Sequence, residues 1–342
     1  MSNRVYLLDD FPLHSRSAHG GLGKVNARIV EDNFGINDLV VCTNFHATDK
    51  KNRKFFARHY TMPRVIYLWF RLSFKVPYYV LLGLFIVLNA IRSCERQKLF
   101  VPIGTDQSGV RRLRGYAMLP FVKSIHVYLV DDPFLVSGES PSGNFYKDLS
   151  TATFISVISQ GLQQHLTTWA VKSRVMALKL PRRTMIERNV SDERYKGHVL
   201  VLGNYKNFYY KGIIELLELI RKLQLPIKVI FTRPLTAEIS QNYGEFVIVK
   251  TFDQHQLARA MAAVDFCYLG FSSDSKHEQA LLTSFPSKLF EYIQYARNIV
   301  VYSPKKSNAG EYCIKNSIGE VFESTASMER MLTRAYYGNR TN

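Results

Sequence analysis

Short apolar runs take turns with segments of helical period along nearly the whole chain, and few architectures accommodate that alternation. It argues for α/β structure with parallel sheets. In the first half, "RVYLLDD" reads as a strand, "GGLGKVNARIVEDNFG" as a loop and helix, and "DLVVCTN" as the next strand. "LFVPIG", "SIHVYLVDD" and "TFISVIS" follow as further strands. Between Leu180 and Gly197 the chain turns polar and charged, and the periodicity fades. The same grammar then restarts: strands "HVLVLGN", "IKVIFT", "FVIVK", "DFCYLG" and "NIVVYS", separated by helical segments such as "KGIIELLELIRKLQ" and "DQHQLARAMAAV".

At 342 residues the chain is long for one core and sufficient for two. The fading at 180–197 sets a boundary between a first domain, 1–185, and a second, 186–325, with 326–342 as a C-terminal segment. Two doubly wound domains imply a cleft, and ligands of open α/β sheets bind beyond the carboxyl ends of strands. The loops that follow strands are therefore the places to search.

Forty-five Lys and Arg against 28 Asp and Glu give a formal net charge of +17. Such a balance favours polyanions, whether nucleic acid, an anionic membrane surface or phosphorylated substrates. No helix-turn-helix, zinc-finger or RNA-recognition signature supports nucleic acid as the partner. The four cysteines, Cys42, Cys94, Cys267 and Cys313, are scattered without a CxxC pair, which points to a reducing compartment and no zinc site. Asp9 and Asp10 interrupt the place where a secretory core would continue, so a cytoplasmic location is expected. One segment qualifies this. Val76–Ile91 is an uncharged apolar run, shorter than the ~20 residues a spanning helix needs. Arg64, Arg71 and Lys75 precede it, and Arg92, Arg96 and Lys98 follow. It reads as a buried core helix or an interfacial one, with a true span only the remaining alternative because ordinary α/β sequence continues on both sides, so peripheral membrane contact through 64–98 is an open expectation.

Four constellations can carry chemistry. "SAHGGLGKVNARI" places Gly20 and Gly21 between a strand and a helix, where backbone can approach a ligand closely. Its spacing is not that of the dinucleotide fingerprint. "LVLGNYKNFYYKG" ends a strand at Gly203, continues through Asn204, and opens a helix at Lys211. "FPSKLFEYIQYARNIVVYS" starts a helix at Ser287 and Lys288. A cation in a helix's first turn opposes the macrodipole, so each lysine is either solvated or shares an anion with the helix start. Two such junctions on one sheet edge would form a diphosphate site. Glu291 lies three residues after Lys288, on nearly the same face, where its two oxygens could accept from a vicinal diol. The alternative is a plain ion pair. Finally, Asp131 and Asp132 end an apolar strand before Pro133 and suit a general base, a hydroxyl clamp or a turn.

These residues carry a resemblance. "FPSKLFEYIQYARNIVVYS" is similar to the nucleotide-sugar motif of GT-B glycosyltransferases of the family-4 type, "LGNYKNFYYKG" to their phosphate loop, and "AHGGLGKVN" to their first glycine loop. The resemblance runs in order from about residue 5 to 325 and implies two Rossmann-like domains facing a cleft. It implies that Glu291 binds the donor ribose, that Lys211 and the amides near Ser287 and Lys288 meet the diphosphate, and that Gly20 and Gly21 face donor or acceptor. It also implies a C-terminal helix crossing back to the first domain. Thr283 stands where retaining members carry a second glutamate, and Asn204 where an arginine is common.

The expected activity is transfer of a sugar from a nucleoside-diphosphate sugar to an acceptor hydroxyl, on a lipid-linked or surface saccharide. The arrangement requires no metal and no cofactor beyond that co-substrate. Two other readings compete: a GT-B scaffold without catalysis serving as a partner subunit, and a basic nucleic-acid-binding protein.

Overall fold

The computed structural model describes residues 4–8, 39–42, 59–61, 80, 82–84, 86–88, 90, 91, 97–103, 110–129, 131, 132, 134, 135, 142–169, 171, 174–177, 192–203, 205 and 207–338. The chain forms two compact units that divide between Leu178 and Lys179.

The first unit carries strands β1 (Arg4–Leu8), β2 (Leu39–Cys42), β3 (His59–Thr61), β4 (Gln97–Ile103), β5 (Val122–Leu129), β6 (Phe154–Val157) and β7 (Arg174–Ala177). They form one parallel sheet in the order β3-β2-β1-β4-β5-β6-β7. Helices α1 (Leu113–Ala117), α2 (Gly143–Leu149) and α3 (Gln160–Thr168) lie on the later crossovers. Ser159 caps α3 by accepting from Leu162 N at 3.0 Å, which satisfies one of the amides a helix start leaves open. His126 packs inside the sheet. Its ring meets Phe100 and Phe154 edge-on at 4.7 and 4.5 Å, in the row where those residues pair across β4, β5 and β6. Its Nε2 lies 2.8 Å from Ser156 Oγ.

The second unit carries β8 (His198–Val201), β9 (Lys228–Phe231), β10 (Val247–Val249), β11 (Phe266–Gly270), β12 (Ile299–Tyr302) and β13 (Glu320–Phe322). Its helices are α4 (Tyr210–Lys222), α5 (Ala237–Tyr243), α6 (Gln254–Ala263), α7 (Glu278–Thr283), α8 (Ser287–Tyr295), α9 (Asn308–Lys315) and α10 (Thr325–Tyr337). The parallel order is β10-β9-β8-β11-β12-β13. From β8 the chain winds one way through β9 and β10, and from β11 the other way through β12 and β13. All five residues of β11 are buried, as a central parallel strand covered on both faces must be. Asp253 closes a capping box on α6, accepting from Gln256 N at 2.8 Å while Gln256 Oε1 accepts from Asp253 N at 3.3 Å.

The C-terminal helix α10 packs on the second unit. Met328 and Leu332, one turn apart, are fully buried in the core that α4, β8 and β9 build in the second unit. Tyr337 Oη donates to Leu223 O at 2.7 Å, Tyr336 Oη to Asp265 Oδ2 at 2.5 Å, and Lys222 pairs with Glu329 at 2.8 Å. An apolar i, i+4 pair is buried where its nearest partner surface lies, and here that is α4.

Candidate nucleotide-sugar site

In the second unit the winding direction reverses between β8 and β11, which pair through Phe266 with Val199 and Cys267 with Leu200. In such a sheet the crevice for a ligand opens beyond the carboxyl ends of these two strands. The segments that leave those ends are 202–209, leading into α4, and 271–286, leading into α8.

Each segment is fixed by its own residues. Gly203 has φ 68°, a left-handed conformation that a side chain would strain, and its N–H donates to Thr232 Oγ1 at 2.8 Å. Gly212, in the first turn of α4, lies against the end of β11. A Cβ there would come within 2.7 Å of Gly270 C and of Phe271 N and O, so only glycine lets α4 sit this close. Tyr268 Oη, from β11, donates to Gly212 O at 2.9 Å. Tyr209 stacks on Phe271 at 5.6 Å, and Ser272 N donates to Phe208 O at 2.6 Å, so the two segments are joined across the crevice.

Tyr292 sets α8. Its fully buried hydroxyl accepts from Leu202 N at 2.9 Å and donates to Tyr268 O at 3.1 Å, tying the helix to the ends of both strands. Burial raises its pKa well above the ordinary phenol value, which keeps it a donor. Pro286 occupies the N-cap of α8 and offers no side-chain cap, and its carbonyl accepts from Leu289 N at 2.9 Å.

Lys288 is in that first turn and is only 9% exposed. Its Nζ lies 3.5 Å from the centroid of the Tyr209 ring. Burial pulls its pKa down to about 7. The solvated-charge reading of this lysine is thereby excluded: the amine is buried, beside two helix starts, at the reversal of the sheet. Glu291, one turn along α8, is half-buried, and Ser287 at the helix start is half-buried too. Lys211 is also in a first turn, that of α4, but its side chain is exposed. Tyr209 and Tyr292 have no counterpart in the sequence reading. A period-based scan takes an aromatic at such a position for core, and their roles depend on contacts 79 and 90 residues away in sequence, to Lys288 and Leu202.

Asn204, Gly20 and Gly21 lie outside the described residues. Thr283 ends α7, buried, with its hydroxyl turned back on Gln279 O at 3.0 Å. Glu278 starts the same helix and lies 3.7 Å from Lys305.

In the first unit Asp132 takes the turn reading. It is 1% exposed, its Oδ1 accepts from Phe134 N at 2.9 Å, and its Oδ2 accepts from Tyr146 Oη at 2.6 Å. His165 Nε2 lies 3.2 Å from the same Oδ2. A general base needs an oxygen that faces its substrate, and both oxygens of Asp132 face the protein. Asp131 is half-buried beside it. Asp132→Ala is expected to destabilise the first unit by about 3 kcal/mol, because the Phe134 amide and the Tyr146 hydroxyl lose a buried charged acceptor. Denaturant unfolding measures that loss, and nucleotide binding to the second unit should not change.

The sequence matches no protein-family model and no curated protein. Solved structures do match it over almost its full length. The lipopolysaccharide outer core galactosyltransferase WaaB, in its apo form, superposes with a TM-score of 0.60 at 12% identity, covering 98% of this chain and 91% of that one. The chain has the GT-B fold. Anabaena Alr3699/HepE in complex with UDP and glucose gives 0.61 at 12% identity, over 99% and 91%. A UDP-forming α,α-trehalose-phosphate synthase from Burkholderia xenovorans, in complex with glucose-6-phosphate, gives 0.58 at 10% identity, over 98% and 92%. A GT-B chain has two Rossmann-like domains, and both sheets here run in the order that fold uses, three strands out on one side of the reversal and the rest on the other.

Proposed function

We propose that this chain is a nucleotide-sugar-dependent glycosyltransferase of the hexosyltransferase type, which moves a sugar from a nucleoside-diphosphate sugar to an acceptor hydroxyl. The observation that carries this reading is Lys288, a buried amine in the first turn of α8 at the sheet reversal of the second unit. A buried amine in a first turn adds its charge to that of the helix start, and the two together suit a diphosphate. In this reading the first-turn amides at Ser287 and Lys288 take up the diphosphate together with Lys288 Nζ. Lys211 reaches it from α4, Gly203 shapes the turn beneath it, and Glu291 accepts from the ribose hydroxyls. As the bond from sugar to diphosphate breaks, negative charge grows on the leaving group, and these donors are already in place to stabilise it. Asp131 is the carboxylate we assign to the acceptor hydroxyl. The residues we assign supply no metal and need none.

For the acceptor we propose a lipid-linked or surface saccharide, on the strength of the net charge and of the apolar segment within 64–98. One further reading has its own observation. Thr283 is turned into its helix, and Asp132 is held by Tyr146, which is what a GT-B partner subunit without turnover would tolerate.

Titration calorimetry with UDP, GDP, ADP and dTDP tests the donor site. One nucleotide should bind clearly better than the rest, and Glu291→Ala should weaken it roughly tenfold, the value of a charge-assisted hydrogen-bond pair. Release of that nucleotide from its sugar conjugate in the presence of a saccharide acceptor then separates an enzyme from a partner subunit. No binding of any nucleotide, with the variant indistinguishable from the parent, overturns the proposal.

A further inference from the structure

Nine large apolar residues are exposed among the described residues, and seven of them belong to the first unit: Trp169, and the six argued from here, Val80, Leu84, Leu88, Ile91, Met118 and Phe121. Each of these six is half or more exposed. The residues described between 80 and 91 are helical. Val80, Leu84, Leu88 and Ile91 recur at helical spacing and form one stripe, while Leu82, Ile86 and Ala90 form the opposite, buried stripe. This helix is thus apolar on both faces, and burial in the core accounts for only one of them.

The turn at 118–121 lies beside it. A methyl group at Gly83 would meet Leu119 Cδ2 at 3.7 Å. Phe121 holds φ 62°, a left-handed conformation unfavourable for an aromatic residue, and its side chain is exposed. Its carbonyl accepts from Gln97 N at 2.8 Å, which places the turn at the amino edge of β4 and β5. Lys98 and Lys123 are exposed at that same edge, next to the irregularity between Gln97 and Lys98. The sequence within 64–98 adds Arg64, Arg71, Lys75, Arg92 and Arg96 against one acid, Glu95.

We propose that the exposed stripe of this helix and the Met118–Phe121 turn dock the chain on an anionic lipid bilayer. Apolar side chains rimmed by cations match the two layers of such a surface, acyl boundary and acidic headgroup. A second copy of the chain fits less well, since an isologous contact would bring the same cations face to face. No helix among the described residues is long and apolar enough to cross a membrane, so the contact is one of lying on the surface. It uses the amino edge of the first sheet and leaves free the carboxyl edge, where ligands of such sheets bind. The proposal stands apart from the donor site, and a chain that bound no nucleotide would still be expected to dock.

The experiment is flotation of the full chain with vesicles of phosphatidylcholine alone and with phosphatidylglycerol added. The native chain should float with the anionic vesicles, and more weakly as salt is raised. Leu84→Asp with Leu88→Asp, and separately Lys98→Glu with Lys123→Glu, should each lower the partition roughly tenfold or more. All four positions are exposed, so the variants should keep the native thermal midpoint and nucleotide affinity. Absence of the native chain from anionic vesicles overturns the proposal. So does partition that both variant pairs leave unchanged, or a native dimer in sedimentation that Leu84→Asp with Leu88→Asp dissolves.

Discussion

Lys288→Met is expected to weaken nucleoside-diphosphate binding by roughly 10- to 100-fold, the loss of one charge-assisted bond to phosphate, while raising the thermal midpoint of the empty chain. The two effects have one cause. The amine sits where burial disfavours its charge and where a bound anion would favour it. Its ordinary pKa of 10.5 falls to about 7 in the folded chain because burial disfavours the charged form. Between those values the unfolded chain holds a proton that the folded chain has released. Stability contributed at this site therefore rises as pH increases from about 7 towards 10.5, and the penalty is greatest below the folded value. Urea midpoints of the native chain and Lys288→Met should consequently differ most near about pH 6 and converge towards about pH 9. A variant that loses binding and stability together would mean that Lys288 holds the fold rather than a ligand.

Gly212→Val is expected to cost the second unit about 3 kcal/mol, the upper end of an overpacking penalty, and about 6–12 °C in its thermal midpoint. The new Cβ would have to occupy space within 2.7 Å of backbone atoms of Gly270 and Phe271, and backbone at the end of a central strand cannot yield as a side chain can. The start of α4 would be pushed off β11, breaking the bond from Tyr268 Oη to Gly212 O and displacing Tyr209 from Lys288. Nucleotide affinity should fall with stability in this variant, whereas Gly244→Ala, where a Cβ has open space, should leave both unchanged. Differential scanning calorimetry with and without nucleotide distinguishes the two.

The interior of the fold was legible because central parallel strands are apolar on both faces: "HVLVLGN", "DFCYLG" and "NIVVYS" could hardly be anything else, and they are β8, β11 and β12. The edge strands were not. β3, "HYT", and β13, "EVF", are three residues each, too short to leave a periodic signal to read. β7 is four residues among charged neighbours. At the candidate site, Lys288 was legible as a cation on the wrong end of a helix, and Gly203 and Gly212 as glycines at strand and helix ends. What the sequence did not disclose was that Lys211 points to solvent while Lys288 is buried against Tyr209, since both have the same local pattern. Asp132 shows the same limit. "DDPF" suits catalysis and a turn equally, and only the positions of Tyr146 and His165, brought by α2 and α3, decide between them.

The most direct test of a diphosphate site at Lys288 is the proton count on nucleotide binding. Near pH 8 the phosphates of UDP are fully ionised, and an amine with a pKa of about 7 is mostly neutral in the empty site. A bound diphosphate would restore its charge, so calorimetric titration with UDP in buffers of different ionisation enthalpy should show uptake approaching one proton, absent in Lys288→Met. UDP that binds with no proton uptake, or with the same uptake in the variant, would contradict the account: the nucleotide would then be held elsewhere than at Lys288.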